Sequence, residues 1–211
     1  MEEKNIEKRA SGDIALAVNG DIVQGYAAVF DSPAEVYGYV ETIERGAITK
    51  DTVMKSDVFA VIEHDRYRGV LARSKRGVGS LTLKVDEKGL SYSFSVPETA
   101  AGKELKSYIE RGEMDGSSFA FTVKTEEWSK KGDIYYRTIK EIDRLYDVSP
   151  VFSPAYSDTS VALRGLDEFK ALEAENAKKQ IELIEQEEKA REDELNDYYK
   201  QLNLRIKLIT N

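Results

Sequence analysis

The sequence of 211 residues contains no cysteine and only one histidine, His64. The lack of cysteine excludes disulfide bonds, thiolate nucleophiles and cysteine-ligated zinc. The single histidine excludes any metal site built from several imidazoles. Covalent catalysis in this chain must therefore use an oxygen or an amine nucleophile, and we expect no metal and no other cofactor.

Long hydrophobic runs and an excess of basic charge are also missing. No stretch of about 18 apolar residues occurs, and the beginning of the chain, MEEKNIEKRASGD, is polar rather than signal-like. The net charge is -8, whereas a nucleic-acid-binding protein usually carries an excess of basic residues. We therefore expect a soluble protein of the cytoplasm in which it is made, with no membrane span and no nucleic-acid partner.

The composition divides the chain into three segments. Residues 1–20 are a polar N-terminal segment, and residues 21–164 contain strand-like and turn-like stretches that can build one core. Within them, GSLTLKVDEKGLSYSFSVP alternates apolar and polar residues on both sides of a turn, which predicts an antiparallel hairpin. The stretches GAITKDTVMKS and TAAGKELKSYIERGEMDG predict two helices.

Residues 165–211 have dense charge, and no glycine or proline follows Gly165, which predicts one long helix. Apolar residues recur along this helical arm at helical spacing, but Glu188 and Arg191 interrupt them in the middle. Two interpretations remain open. The helix pairs with other helices, as in a coiled coil between chains, or it is a solvated amphipathic arm.

Two polar residues in the strand-rich segment are candidates for chemistry. His64 ends the apolar run VFAVIEH, where a strand would emerge into a polar loop, and histidine is the usual general base at neutral pH. In SSFAFTV, a period of two places Ser118 on a face with small residues, which leaves room for an imidazole. Ser117 would face the core or belong to the turn, and it is the alternative nucleophile.

A serine–histidine pair needs a third group that orients the imidazole, and here it must be a carboxylate or an amide. The stretch EIDRLYDVSPVFSPAY offers Glu141, Asp143 and Asp147, and Asp65 directly follows the histidine. Each of these carboxylates is equally compatible with an ordinary turn, cap or surface role.

Five motifs occur in a specific order: GYAAVF with YVETIERGAI, then EHD, the hairpin, IERGEMDGSSFAF, and LYDVSPVFSPAYSDT. Through them, residues 21–163 resemble the prohead maturation proteases of tailed bacteriophages, the HK97-type serine peptidases. The resemblance implies that His64 is the base, Ser118 the nucleophile and Asp147 the acidic member. In the family, that acid is often glutamate and a larger residue often precedes the serine, so Asp147 and Ser117 are the positions to test.

The family is similar in fold to the herpesvirus assembly proteases. The resemblance therefore implies an α+β fold, a mostly antiparallel β-barrel with flanking helices, followed by the long C-terminal helix. The herpesvirus enzymes use a second histidine as third member, which this chain lacks. For the oxyanion hole, a loop around Asp143 and Arg144 is one candidate, and a solvated connection is the alternative.

The resemblance also implies a function. A serine endopeptidase of this family works inside the phage procapsid in the host cytoplasm, where it cleaves the scaffolding segment from the major capsid protein and then digests itself. The helical arm would hold the protease to the scaffold or to its own copies, as a homo-oligomer. One alternative is a catalytically silent capsid-assembly scaffold protein with a protease-like fold, and another is a β-module with an oligomerising arm and no viral role.

Overall fold

A computed structural model describes residues 6–11, 16–36, 38–152 and 160–209. The chain divides into two units, Met1–Leu163 and Arg164–Asn211. None of the helices in these described stretches is long and apolar enough to cross a membrane. The elements in chain order are β1 (Glu7–Ser11), β2 (Ala17–Asn19), β3 (Ile22–Val29), β4 (Ala34–Val36), β5 (Tyr39–Ile43), α1 (Lys50–Met54), β6 (Asp57–Ile62), β7 (Asp65–Lys75), β8 (Val78–Gly79), β9 (Leu81–Val85), β10 (Gly89–Ser95), α2 (Ala100–Glu110), β11 (Gly116–Lys131), β12 (Ile134–Val151) and α3 (Ser160–Ile209).

The strands form two sheets. The larger has the order β1-β11-β12-β6-β7-β8, with β5 also paired to β12 and β4 paired to β5, and the smaller has the order β2-β3-β10-β9. The pairs are antiparallel except for β12 with β5 and β12 with β6. The α+β class is confirmed. A closed barrel is not confirmed, because β1 and β8 end the path of the larger sheet and do not pair with each other among the described strands.

The predicted hairpin and both predicted helices are present. Strand β10 pairs with β9 from Leu90 opposite Val85 to Phe94 opposite Leu81. Thr49 caps α1 by accepting a hydrogen bond from the backbone N–H of Thr52, and Thr99 caps α2 in the same way. Helix α2 ends just before Gly112, whose positive φ of 69° suits glycine, and the chain then enters β11.

The core lies against one face of β11. Phe119 and Phe121 are buried and stacked, with ring centroids 4.5 Å apart. Because side chains alternate along a strand, Ser118 and Ala120 lie on the opposite face of β11. The buried core includes residues from both sheets and from α2, among them Val23, Ile62, Leu81, Leu90, Tyr92, Phe94, Leu105, Ile142, Leu145 and Val148.

Helix α3 is 50 residues long and begins at Ser160, five residues before the predicted boundary at Gly165. Most of its described side chains are exposed, and Lys179 forms a salt bridge with Glu175 one turn earlier. Pairing with other helices stays a prediction. Within residues 163–200, the large hydrophobic side chains that this helix exposes are Leu172, Ile181, Leu183, Ile184, Leu195, Tyr198 and Tyr199.

Candidate active site

His64 lies in the tight turn that joins β6 to β7. Ile62 pairs with Asp65, so Glu63 and His64 are the two central residues of a two-residue hairpin turn. Both have positive φ values, 54° and 58°. This turn geometry is normally made with Asn-Gly or similar residues, and the left-handed conformation costs an ordinary residue roughly 1–2 kcal/mol. The turn is therefore strained, and its surroundings must hold it.

Contacts with the end of β12 hold the turn in place. The backbone N–H of Glu63 donates to the carbonyl oxygen of Pro150 at 3.1 Å. The Glu63 carboxylate in turn accepts a hydrogen bond from the backbone N–H of Phe152 at 2.7 Å. These two bonds offset part of the backbone strain and fix the position from which His64 projects.

Ser118 and Asp147 come from neighbouring strands of the larger sheet. In the pairing of β11 with β12, Ser118 lies opposite Ser149, and Ala120 lies opposite Asp147. Directly paired residues share a face of an antiparallel sheet, and so do residues two apart on one strand. Ser118, Asp147 and Ser149 therefore project from the same face, opposite to the face that carries Phe119.

The imidazole of His64 bridges the serine and the carboxylate. Its Nε2 atom lies 2.6 Å from Ser118 Oγ, and its Nδ1 atom lies 2.6 Å from Asp147 Oδ1. An ionised carboxylate only accepts hydrogen bonds, so Nδ1 carries the proton and Nε2 is free to accept the proton of Ser118. Ser118 and Asp147 are buried, which keeps water from competing for these bonds.

The competing carboxylates have other partners. Asp143 accepts a hydrogen bond from Lys55 Nζ at 3.2 Å, and Glu141 accepts one from Lys124 Nζ at 2.8 Å. Asp65 accepts one from the backbone N–H of Tyr67 at 2.8 Å. Of the four candidates, the structure thus brings Asp147 to the imidazole.

Ser117, the alternative nucleophile, lies on the core side of β11. It is fully buried, and its Oγ lies 2.8 Å from the hydroxyl oxygen of Tyr92. Burial raises the pKa of the Tyr92 hydroxyl, so the pair stays neutral. A Cβ atom at Gly25 would lie 2.9 Å from Ser117 Oγ, so the close contact of β3 with β11 at this point favours glycine. Ser117 is thus a packed polar residue at the contact between the sheets, away from His64.

Comparisons with known proteins indicate the family of the chain. A family model described as caudovirus prohead serine protease matches residues 4–173. The chain belongs to this family. It is also similar to the structure of the bacteriophage T4 capsid assembly protease, gp21, with 13% sequence identity and a TM-score of 0.42, over 71% of this chain and 97% of that one. No curated protein matches the chain. Membership of the caudovirus prohead family supports a protease of capsid maturation.

Among the described residues, two further groups contact the candidate site and were not among the predicted residues. Ser149 Oγ donates to Asp147 Oδ1 at 2.8 Å and lies 3.2 Å from His64 Nδ1. The carbonyl oxygen of Arg9 lies 2.9 Å from Ser118 Oγ, so it is a second acceptor within reach of the one hydroxyl proton, farther away than Nε2 of His64 at 2.6 Å. The period of two around Asp147 could have identified Ser149. Nothing in the sequence places Arg9 there, because the pairing of β1 with β11 joins residues more than 100 positions apart.

The N-terminal segment takes part in the fold. Residues 1–20, expected to be only a polar segment, contribute β1 and β2. Glu7 and Arg9 of β1 are almost fully buried, together with Glu41 and Arg137. We call these four residues the buried ion cluster. Arg9 forms salt bridges with Glu7 at 2.6 Å and with Glu41 at 2.5 Å. Arg137 forms salt bridges with Glu7 at 2.6 Å and with Glu41 at 2.7 Å, and it also binds Glu126.

The suggested oxyanion loop is not a loop. Asp143 and Arg144 lie inside β12, and Arg144 is paired with Thr122 of β11. No strand was predicted at these two residues, although charged and apolar residues alternate around them as they do in the hairpin. The backbone around these two residues therefore belongs to the sheet and is not a solvated connection.

Proposed function

We propose that the protein is a serine endopeptidase of phage capsid maturation in which Ser118 is the nucleophile, His64 the general base and Asp147 the orienting acid. One observation carries this proposal. The two nitrogens of the only imidazole in the chain lie 2.6 Å from a serine hydroxyl on one side and 2.6 Å from a carboxylate on the other. Three side chains from distant parts of the sequence thus form a continuous hydrogen-bonded series, in which Ser118 can pass its proton to His64 while Asp147 holds the imidazole.

The reaction follows from the order of these groups. Ser118 Oγ attacks the carbonyl carbon of the scissile peptide while His64 Nε2 takes the hydroxyl proton, and Asp147 stabilises the resulting imidazolium. The tetrahedral intermediate collapses as His64 passes the proton to the leaving amine, which leaves an ester on Ser118. Water then attacks this ester with His64 again as base, and the acid product departs.

The proposed substrates are the scaffolding segment of the major capsid protein and the protease itself, inside the procapsid in the host cytoplasm. Family membership over residues 4–173 supports this substrate class. Helix α3 supports self-cleavage, because most of its described residues are exposed and strongly charged, without a core of their own. We further propose that this helix retains the protease in the assembling particle by binding the scaffold or other copies of the chain.

Coexpression with the capsid protein of the same phage tests the proposal. The wild-type chain should shorten both the capsid protein and itself, and Ser118→Ala should leave both at full length. Ser117→Ala is the matched control, because it removes a neighbouring buried hydroxyl that does not contact His64, and it should cleave like wild type. If the wild-type chain assembles into shells without cleaving either protein, the scaffold function replaces the protease function.

A further inference from the structure

Ser149 has a geometry that the triad alone does not explain. It is fully buried, lies directly opposite Ser118 in the sheet and follows Asp147 by two residues on the same face. Its hydroxyl contacts both the carboxylate of Asp147, at 2.8 Å, and Nδ1 of His64, at 3.2 Å. A hydroxyl in this position contacts both the donor and the acceptor of the hydrogen bond between His64 and Asp147.

The single proton of this hydroxyl determines what it can do. A serine hydroxyl donates one hydrogen bond and can accept two. The carboxylate is the closer and the charged acceptor, so the proton points to Asp147 and the oxygen lone pairs are left facing Nδ1. An imidazole nitrogen that faces lone pairs on both neighbours must itself carry a proton.

We propose that Ser149 is a positioning residue that sets the tautomer of His64 by holding the carboxylate of Asp147 and by accepting from Nδ1–H. This inference rests on the triad of the proposed function. With the proton fixed on Nδ1, Nε2 keeps a free lone pair for the Ser118 proton. Without Ser149, the carboxylate loses a donor in a buried place and can rotate, and the other tautomer becomes accessible.

The single histidine makes the tautomer directly measurable. With ¹⁵N-labelled histidine, each ring nitrogen gives one NMR signal that needs no assignment. We would compare Ser118→Ala with Ser118→Ala/Ser149→Ala, since loss of the nucleophile prevents self-cleavage during the measurement. The parent should show protonated Nδ1 and unprotonated Nε2, and the double variant should show a mixture of the two tautomers.

Reactivity gives the second readout and needs no knowledge of the natural substrate. In the otherwise wild-type chain, the rate of covalent reaction of a fluorophosphonate probe with Ser118 should fall about 10- to 100-fold in Ser149→Ala, as for loss of one hydrogen bond to a charged group. Ser117→Ala should react at the wild-type rate. Ser149→Cys keeps the volume and a weak hydrogen-bond donor, and its reaction rate should lie between those of Ser149→Ala and wild type.

The outcomes separate this inference from the proposed function. If the probe labels wild type on Ser118 and Ser149→Ala reacts equally fast with an unchanged tautomer, Ser149 has no positioning role, although the protease function stands. A slower Ser149→Ala with an unchanged tautomer also overturns the inference, since the serine would then act only through packing. If wild type is not labelled at all, the proposed function fails, and the NMR comparison still decides the role of Ser149.

Discussion

Two buried polar groups lie in the larger sheet, one on each side of strand β11. On one face of β11, Ser118 joins the hydrogen-bonded series through His64 to Asp147. On the other face, where Arg9 is paired with Phe119, the buried ion cluster joins two arginines to two glutamates. Both groups use short hydrogen bonds, both draw on residues far apart in sequence, and only one of them is suited to catalysis.

The difference lies in what each group can do with a proton. Arginine stays protonated at every pH at which the protein folds, so the buried ion cluster holds its charges in fixed positions. An imidazole, in contrast, can take up and return one proton during a reaction, and its neighbour Ser118 has a proton to give. Burial and short hydrogen bonds therefore occur in both groups, whereas an imidazole between a hydroxyl and a carboxylate occurs only in the one suited to proton transfer.

The largest expected effect is the loss of activity on removal of the base. His64→Ala should reduce the rate of peptide cleavage by roughly 10⁶-fold, since the members of a catalytic unit act together. Combination with Ser118→Ala should cause no further loss. Cleavage of a labelled capsid-derived peptide measures both variants. If the losses in the double variant were additive, Ser118 and His64 would not act in the same proton transfer. The hydrogen-bonded series would then be no more catalytic than the buried ion cluster.

The next effect concerns the carboxylate. Asp147→Asn should keep the shape of the site but lower the cleavage rate by up to about 10⁴-fold, because the amide favours the wrong imidazole tautomer. The matched controls are Asp143→Asn and Glu141→Gln, which change carboxylates bound to surface lysines and should stay close to wild type. A stronger loss in either control than in Asp147→Asn would assign the third role to that residue.

Substitutions in the buried ion cluster should lower the stability of the protein. Removing one partner leaves an uncompensated buried charge, which typically costs about 3–5 kcal/mol. We expect Glu41→Gln in the Ser118→Ala background to lower the free energy of unfolding by this amount in urea titrations. Glu141→Gln, which breaks an exposed pair, should cost about 1 kcal/mol or less. Equal small losses in both variants would show that the cluster is not a structural anchor.

A smaller effect should appear as a change in the pH dependence of stability. Burial alone would raise the pKa of Glu41, but Arg9 and Arg137 outweigh it and lower the pKa below its ordinary value of 4.5. The unfolded chain then binds a proton more readily than the folded one, so stability is lost as the pH falls below about 4.5. Urea titrations from pH 7 to pH 3 should show a flatter decline in Glu41→Gln, and equal slopes would contradict this assignment.

Local patterns predicted the parts of the structure that depend on near neighbours in sequence. The hairpin of β9 and β10, both short helices and the long α3 follow from periodicity and caps. The motif order indicated the three residues His64, Ser118 and Asp147, which the structure brings together. The face of Ser118 followed from the alternation in SSFAFTV, because β11 has no irregularity before Ala120.

Long-range pairings were not predictable in the same way. Glu7 and Arg9 look like solvated residues, and their burial depends on Glu41 and Arg137, which are 32 to 130 positions away. Closure of a barrel likewise depends on whether edge strands meet, which no local pattern records. The turn at Glu63 and His64 was hidden because it lacks the usual Asn or Gly and depends on contacts with β12.

Covalent labelling decides whether Ser118 is the nucleophile that His64 activates. Wild type, Ser117→Ala, Ser118→Ala and His64→Ala would be treated with a fluorophosphonate probe, digested and analysed by mass spectrometry. We expect an adduct on Ser118 in wild type and in Ser117→Ala, and almost none in the other two variants. An adduct on Ser117, or full labelling of His64→Ala, would contradict it.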